Sequence, residues 1–141
     1  MSEGESQPPM TALSLDVMVP CDERYLPMLQ QLAVRAVDYF AFSEDVRASL
    51  TQAIDCAMAG APGSDYASVG ILMTTARGDL RLRVRYLGGP GGDGALESLL
   101  SQAVSGVSPL EQLRSGAVAV ALGREDTHGV AEFCELTQPL P

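Results

Sequence analysis

The stretch Arg47-Ala-Ser-Leu-Thr-Gln-Ala-Ile-Asp-Cys-Ala-Met-Ala-Gly60 decides how this chain is read. Ser43-Glu44-Asp45 precedes it, a helix start whose acids fall in the first turn, where the backbone dipole favours negative charge. Val46, Leu50, Ala53, Ile54 and Ala57 then recur at helical spacing and predict a buried stripe. Gly60 and Pro62 stop the helix. A second, more polar stripe runs beside the first: Asp45, Ser49, Gln52, Cys56 and Ala59. Its ordinary reading is a helix flank touching solvent or a loop.

Before this helix, Leu13 to Val19 alternates, with Leu13, Leu15, Val17 and Val19 on one face, and predicts a short strand. Pro20-Cys21-Asp22 ends it, and Asp22 is the expected N-cap of a long helix. Tyr25, Leu29, Leu32, Ala33, Ala36, Val37 and Phe40 form the apolar stripe of that helix, and Gln31, Arg35 and Asp38 lie outside it.

After the helix comes a loop, Ala61 to Tyr66, then two strands, Ala67 to Thr75 and Leu80 to Tyr86. Ala76-Arg77-Gly78-Asp79 between them reads as a hairpin turn. Arg77-Gly78-Asp79 is also the cell-adhesion tripeptide, and the turn reading is preferred. Arg81, Arg83 and Arg85 alternate with Leu80, Leu82, Val84 and Tyr86, as on the solvated face of a half-covered antiparallel sheet. A docking surface for an acidic partner is the other reading of that Arg stripe. Leu87 to Gly94 is a Gly-rich loop. Ala95 to Val104 reads as a helix, and Ser108-Pro109-Leu110-Glu111 as a capping box opening a short one that Gly116 closes. Ala117 to Leu122 and Val130 to Leu136 complete the pattern as a last pair of strands.

At 141 residues one domain is expected, spanning 13–137, with a disordered tail at 1–12 and a short tail at 138–141. The apolar share of 46% suits a soluble globular protein, and no apolar run is long enough for a membrane span. The first ten residues lack a basic n-region, so the cytoplasm is the expected compartment. A net charge of −9 argues against non-specific nucleic-acid binding. Cys21, Cys56 and Cys134 are widely spaced and His128 is the sole histidine, so buried, reduced thiols are expected and a metal site is not.

The order strand, helix, helix, hairpin, Gly loop, two helices, hairpin resembles the nucleotide-binding domain of the GHKL (histidine-kinase-like) ATPases, closest to the anti-sigma-factor serine kinases. In that family the second helix typically reads Glu-Ala-x-x-Asn-Ala-x-x-His. The resemblance places Gln52 where the catalytic Glu stands and Cys56 where the Mg²⁺-binding Asn stands. The family's Asp-x-Gly-x-Gly strand end falls on Tyr86, Gly88 and Pro90-Gly91, so the adenine-reading Asp is replaced by Tyr86. An amide is no general base, and a neutral thiol is a poor ligand for a hard cation.

The resemblance implies a two-layer α/β sandwich: a mixed, mostly antiparallel sheet, with Leu80 to Tyr86 central and the helices on one face. It implies a vestigial pocket of Gln52, Cys56, Tyr86, Gly88 and Gly91 beneath the Gly88–Gly94 loop, with no catalytic residue, no metal and no cofactor. The expected activity is regulation by docking a protein, such as a sigma factor or an anti-sigma antagonist, through Gln31, Arg35 and Asp38. A homodimer is compatible with this. Two alternatives stand beside it. One is an ATP-dependent protein serine kinase, in which Gln52 orients the hydroxyl and Asp55 or Asp93 recruits Mg²⁺. The other is an unrelated α+β domain that binds a small ligand or serves in assembly.

Overall fold

The computed structural model describes residues 14–62, 64–89, 95–102, 106–125 and 131–141. The expected N-terminal tail, Gly91, Asp93 and His128 lie outside the described residues. The elements run β1 (Ser14–Pro20), α1 (Leu26–Asp38), α2 (Glu44–Met58), β2 (Ser68–Ala76), β3 (Asp79–Leu87), α3 (Ala95–Leu100), α4 (Pro109–Ser115), β4 (Ala119–Glu125) and β5 (Ala131–Pro139).

The five strands form one sheet in the order β1-β2-β3-β5-β4, so β3 is central as expected. Every pairing is antiparallel, which corrects the expectation of a mixed sheet. The reason is topological. β1 and β2 are neighbours joined through two helices, and β5 enters between β3 and β4, antiparallel to both, so no parallel pair forms among the described residues.

Strand period does the rest. Val69, Ile71 and Met73 pair with Tyr86, Val84 and Leu82, and Leu82 and Val84 pair in turn with Leu136 and Cys134. These residues form one buried face, and the buried side chains of all four helices join them in a single core. The architecture is therefore a two-layer α+β sandwich. The opposite face carries Arg83, bonded to Glu125 and Glu135 at 2.8 Å each, and Arg85, 3.1 Å from Asp16. Two members of the Arg stripe, Arg83 and Arg85, are thus paired within the protein on the face the helices leave uncovered.

The β2–β3 turn has two central residues with positive φ, Arg77 at 54° and Gly78 at 82°, a twist that suits a two-residue hairpin. The expected capping box is present in both halves: Ser108 Oγ accepts from Glu111 N–H, and Glu111 Oε1 accepts from Ser108 N–H. Ser43 caps α2 by accepting from Val46 N–H.

Two expectations about α1 change. Asp22 does not cap it; its carboxylate accepts from Arg24 N–H in a turn ahead of the helix, and Tyr25 occupies the cap position. Pro27, in the first turn, fixes the start one turn later, where its missing N–H costs nothing. Leu32 is 36% exposed, because Leu29, Ala33 and Val37 already fill the core-facing arc.

Candidate functional site

Gln52 and Cys56 do share a surface, one turn apart on α2. They line a cleft of about 40 Å³ together with Ser49 and Ala53. Its far wall is α4 and the residues after it: Gln112, Leu113, Gly116, Ala117 and Val118. The Cys56 thiol donates to Gln112 Oε1 at 3.1 Å. Burial pushes that thiol's pKa up, and the neighbouring Asp55 charge adds to the effect. Cys56 is thus a neutral, hydrogen-bonded thiol inside the core boundary, 7% exposed.

Of the Gly88–Gly94 loop, expected above these two side chains, residues 90–94 lie outside the described residues; among the described residues, the element that covers Gln52 and Cys56 is α4. Its Leu110 and Leu113 are buried in the same core as α2, and that packing draws the short helix onto the polar flank.

Tyr86 and Gly88 are not among the residues lining this cleft. The Tyr86 ring is wholly buried on the core face of β3, and its hydroxyl donates to Ala57 O at 2.5 Å. Its ring centroid lies 5.1 Å from that of Tyr66. The Tyr66 hydroxyl donates to Glu132 Oε1 at 2.6 Å, and the same oxygen accepts from Leu96 N–H at 3.2 Å. Burial raises the pKa of both phenols, and for Tyr66 the Glu132 carboxylate adds to it.

Gly88 and Gly89 have a packing role here. A Cβ on Gly88 would stand 2.7 Å from Ala67 Cβ, and one on Gly89 would stand 2.2 Å from the Tyr66 ring. The chain leaves β3 pressed against the segment before β2, which only glycine permits.

Asp55 turns away from the cleft. Its carboxylate accepts from the Gln30 side-chain amide of α1, and burial raises its pKa. Among the described residues no cluster of three or more His, Cys, Asp or Glu is placed to hold a metal.

The expected docking residues lie together. Gln31, Arg35 and Asp38 line a shallow groove of about 580 Å³ with Gln30, Val34 and Arg47. Asp38 is occupied within the chain, however. Its carboxylate accepts from the Arg47 guanidinium, which holds its pKa below the usual value. Arg35 is exposed and makes no ion pair among the described residues.

Sequence reasoning missed Gln112 and the Tyr66–Glu132 contact. Gln112 carries no pattern that would single it out, since it follows a capping box as any polar helix residue would. Glu132 alternates with apolar Cys134 and Leu136 on the core side of β5, and a carboxylate in that register is a signal that a buried donor awaits it.

No protein-family model matches this chain, and no curated protein matches it in sequence. Among the described residues no helix is long and apolar enough to cross a membrane.

Proposed function

We propose that this chain is a catalytically degenerate regulator of the GHKL type, akin to the anti-sigma-factor kinases, acting in the cytoplasm by binding a protein. The partner is a sigma factor or an anti-sigma antagonist, and no nucleotide chemistry is involved. The element order and the packing of the helices in one layer against the core face of the sheet support the reading.

The observation that carries it is the Gln52–Cys56 cleft. An amide and a neutral thiol stand at the two positions that the resemblance gives to base and metal ligand. The thiol is committed to Gln112, and the space left is about 40 Å³. Ligand pockets for small molecules run to roughly 300–1,000 Å³. The kinase alternative loses ground because Asp55 is engaged by Gln30 and does not line that cleft.

The test is titration with ATP and ADP, with and without Mg²⁺, followed by calorimetry and thermal unfolding. A ligand at 100 times its dissociation constant would add about 2.7 kcal/mol. No stabilisation is expected. Saturable Mg²⁺-ATP binding in the micromolar range sinks the reading and promotes the kinase.

A further inference from the structure

Six large apolar side chains stand exposed among the described residues, and four of them belong to α1 and its caps: Tyr25, Met28, Leu32 and Tyr39. Scattered exposed apolar residues are ordinary. These are not scattered. They are spaced by three, four and seven, and both cap residues, Tyr25 and Tyr39, have helical backbone angles, so the register continues through them. At 100° per residue the four fall within an arc of about 60°. Leu29, Ala33 and Val37 enter the core from a different arc of the same helix.

Arg35 joins this seam to the groove. It falls about 20° from Met28 on the helical wheel, on the side where the groove toward Arg47 opens. The groove holds two guanidiniums against one carboxylate, with the amides of Gln30 and Gln31 beside them. On a chain with 18 acids and nine basic residues, that is a local reversal of charge.

We propose that this face of α1 receives an acidic amphipathic helix of a partner protein. The inference rests on the reading of the domain as a protein-docking regulator, and it names the chemistry of what docks. The apolar side of the partner helix lies along Tyr25, Met28, Leu32 and Tyr39. Its carboxylates reach Arg35 and, across the groove, Arg47. A helix laid in a groove is read through anchors at such spacing. Charge selects the occupant. A basic helix would set its ammonium groups against Arg35, and a second copy would bring one chain of net charge −9 against another.

The experiment is a ¹H–¹⁵N NMR titration of the full chain with three synthetic helical peptides of about 18 residues, long enough to hold helix. The first has Leu on one face and Glu on its flanks. The second replaces Glu by Lys, and the third replaces Leu by Gln. The acidic Leu peptide is expected to shift α1 resonances and to bind about tenfold more tightly than the Lys peptide, the effect of two exposed ion pairs. Arg35→Glu is expected to abolish that preference. Leu32→Gln is expected to weaken both Leu peptides alike. Both residues are exposed, so the fold is expected to persist, and circular dichroism checks it.

Equal binding of the acidic and basic peptides, binding by none, or shifts confined to another surface overturns the inference. So do α1 shifts on diluting the protein alone, which would mean that a second copy covers this face. Adding Mg²⁺-ATP to the same samples separates the two readings. Saturable shifts around Gln52 and Cys56 count against the proposed function, whatever the peptides do.

Discussion

The phenolic oxygen of Tyr86 lies 2.5 Å from the carbonyl oxygen of Ala57, tying the central strand to the last turn of α2. That carbonyl is one of the four that a helix end leaves without an intrahelical donor. A side chain from the sheet therefore supplies what a backbone cap would otherwise supply. The same contact fixes how α2 sits over the sheet.

Tyr86→Phe is expected to destabilise the domain by about 1–3 kcal/mol, because it leaves a buried carbonyl unpaired while keeping the ring. Urea unfolding with an unchanged slope measures it. A loss near zero means that water takes over the carbonyl and the contact is incidental. Tyr86→Asp is expected to be far worse, since a buried carboxylate would face that same carbonyl.

Gln52→Glu combined with Cys56→Asn is expected to restore no Mg²⁺-ATP affinity. The two residues typical of the proposed family would be in place, but α4 would still close the cleft, and Tyr86 would still stand where the proposed reading puts the adenine-binding Asp. Calorimetry decides this. Micromolar binding by the double variant would show that these two side chains alone prevent nucleotide binding.

The thiols of Cys56 and Cys134 are expected to react slowly with a disulfide reagent near neutral pH, and to react fully once the protein is unfolded. Burial pushes the Cys134 thiol up to about 12 and raises that of Cys56, so little thiolate is present. The consequence for stability follows from linkage. Above about pH 9 the unfolded chain releases the Cys134 proton while the folded chain keeps it, so stability falls as pH rises toward 12. The raised phenols of Tyr66 and Tyr86 act in the same direction. Cys134→Ala is expected to flatten the alkaline slope of the thermal midpoint. An unchanged slope would assign the loss to other groups.

Arg77→Asn is expected to stabilise the protein by about 0.5–1 kcal/mol. Arg77 has a positive φ at the first centre of the hairpin turn, a conformation that Asn tolerates and Arg does not favour. Thermal unfolding would show a higher midpoint, and a fall would mean that the Arg77 side chain makes contacts of its own.

The local parts of the fold were legible where chemistry is local. Arg77-Gly78 between two alternating runs gave the hairpin, and Ser108 with Glu111 gave the start of α4. Period-2 patterning gave the buried face of β3 down to Tyr86. What failed depended on distant neighbours. Leu32 reads as core by spacing but lies outward, since the core arc is filled by residues one step away. The second stripe of α2 was visible as a stripe, but what covers it was not, because nothing in Gln52 or Cys56 names Gln112. Asp38 reads as free until α2 brings Arg47 beside it.

The place of β5 between β3 and β4 governs how the chain must assemble. The β2–β3 hairpin can close as soon as it is made, from contacts a few residues apart. The middle of the sheet cannot. Its fourth position stays vacant until Ala131–Pro139 is available, and β4 has no partner before then. During synthesis, one flank of β3 thus waits unpaired while α3, α4 and β4 emerge, and β4 in turn waits for β5, the kind of intermediate that invites mispairing with other chains. The closing β3–β5 pairing joins residues far apart in sequence, and it is the step expected to limit the folding rate.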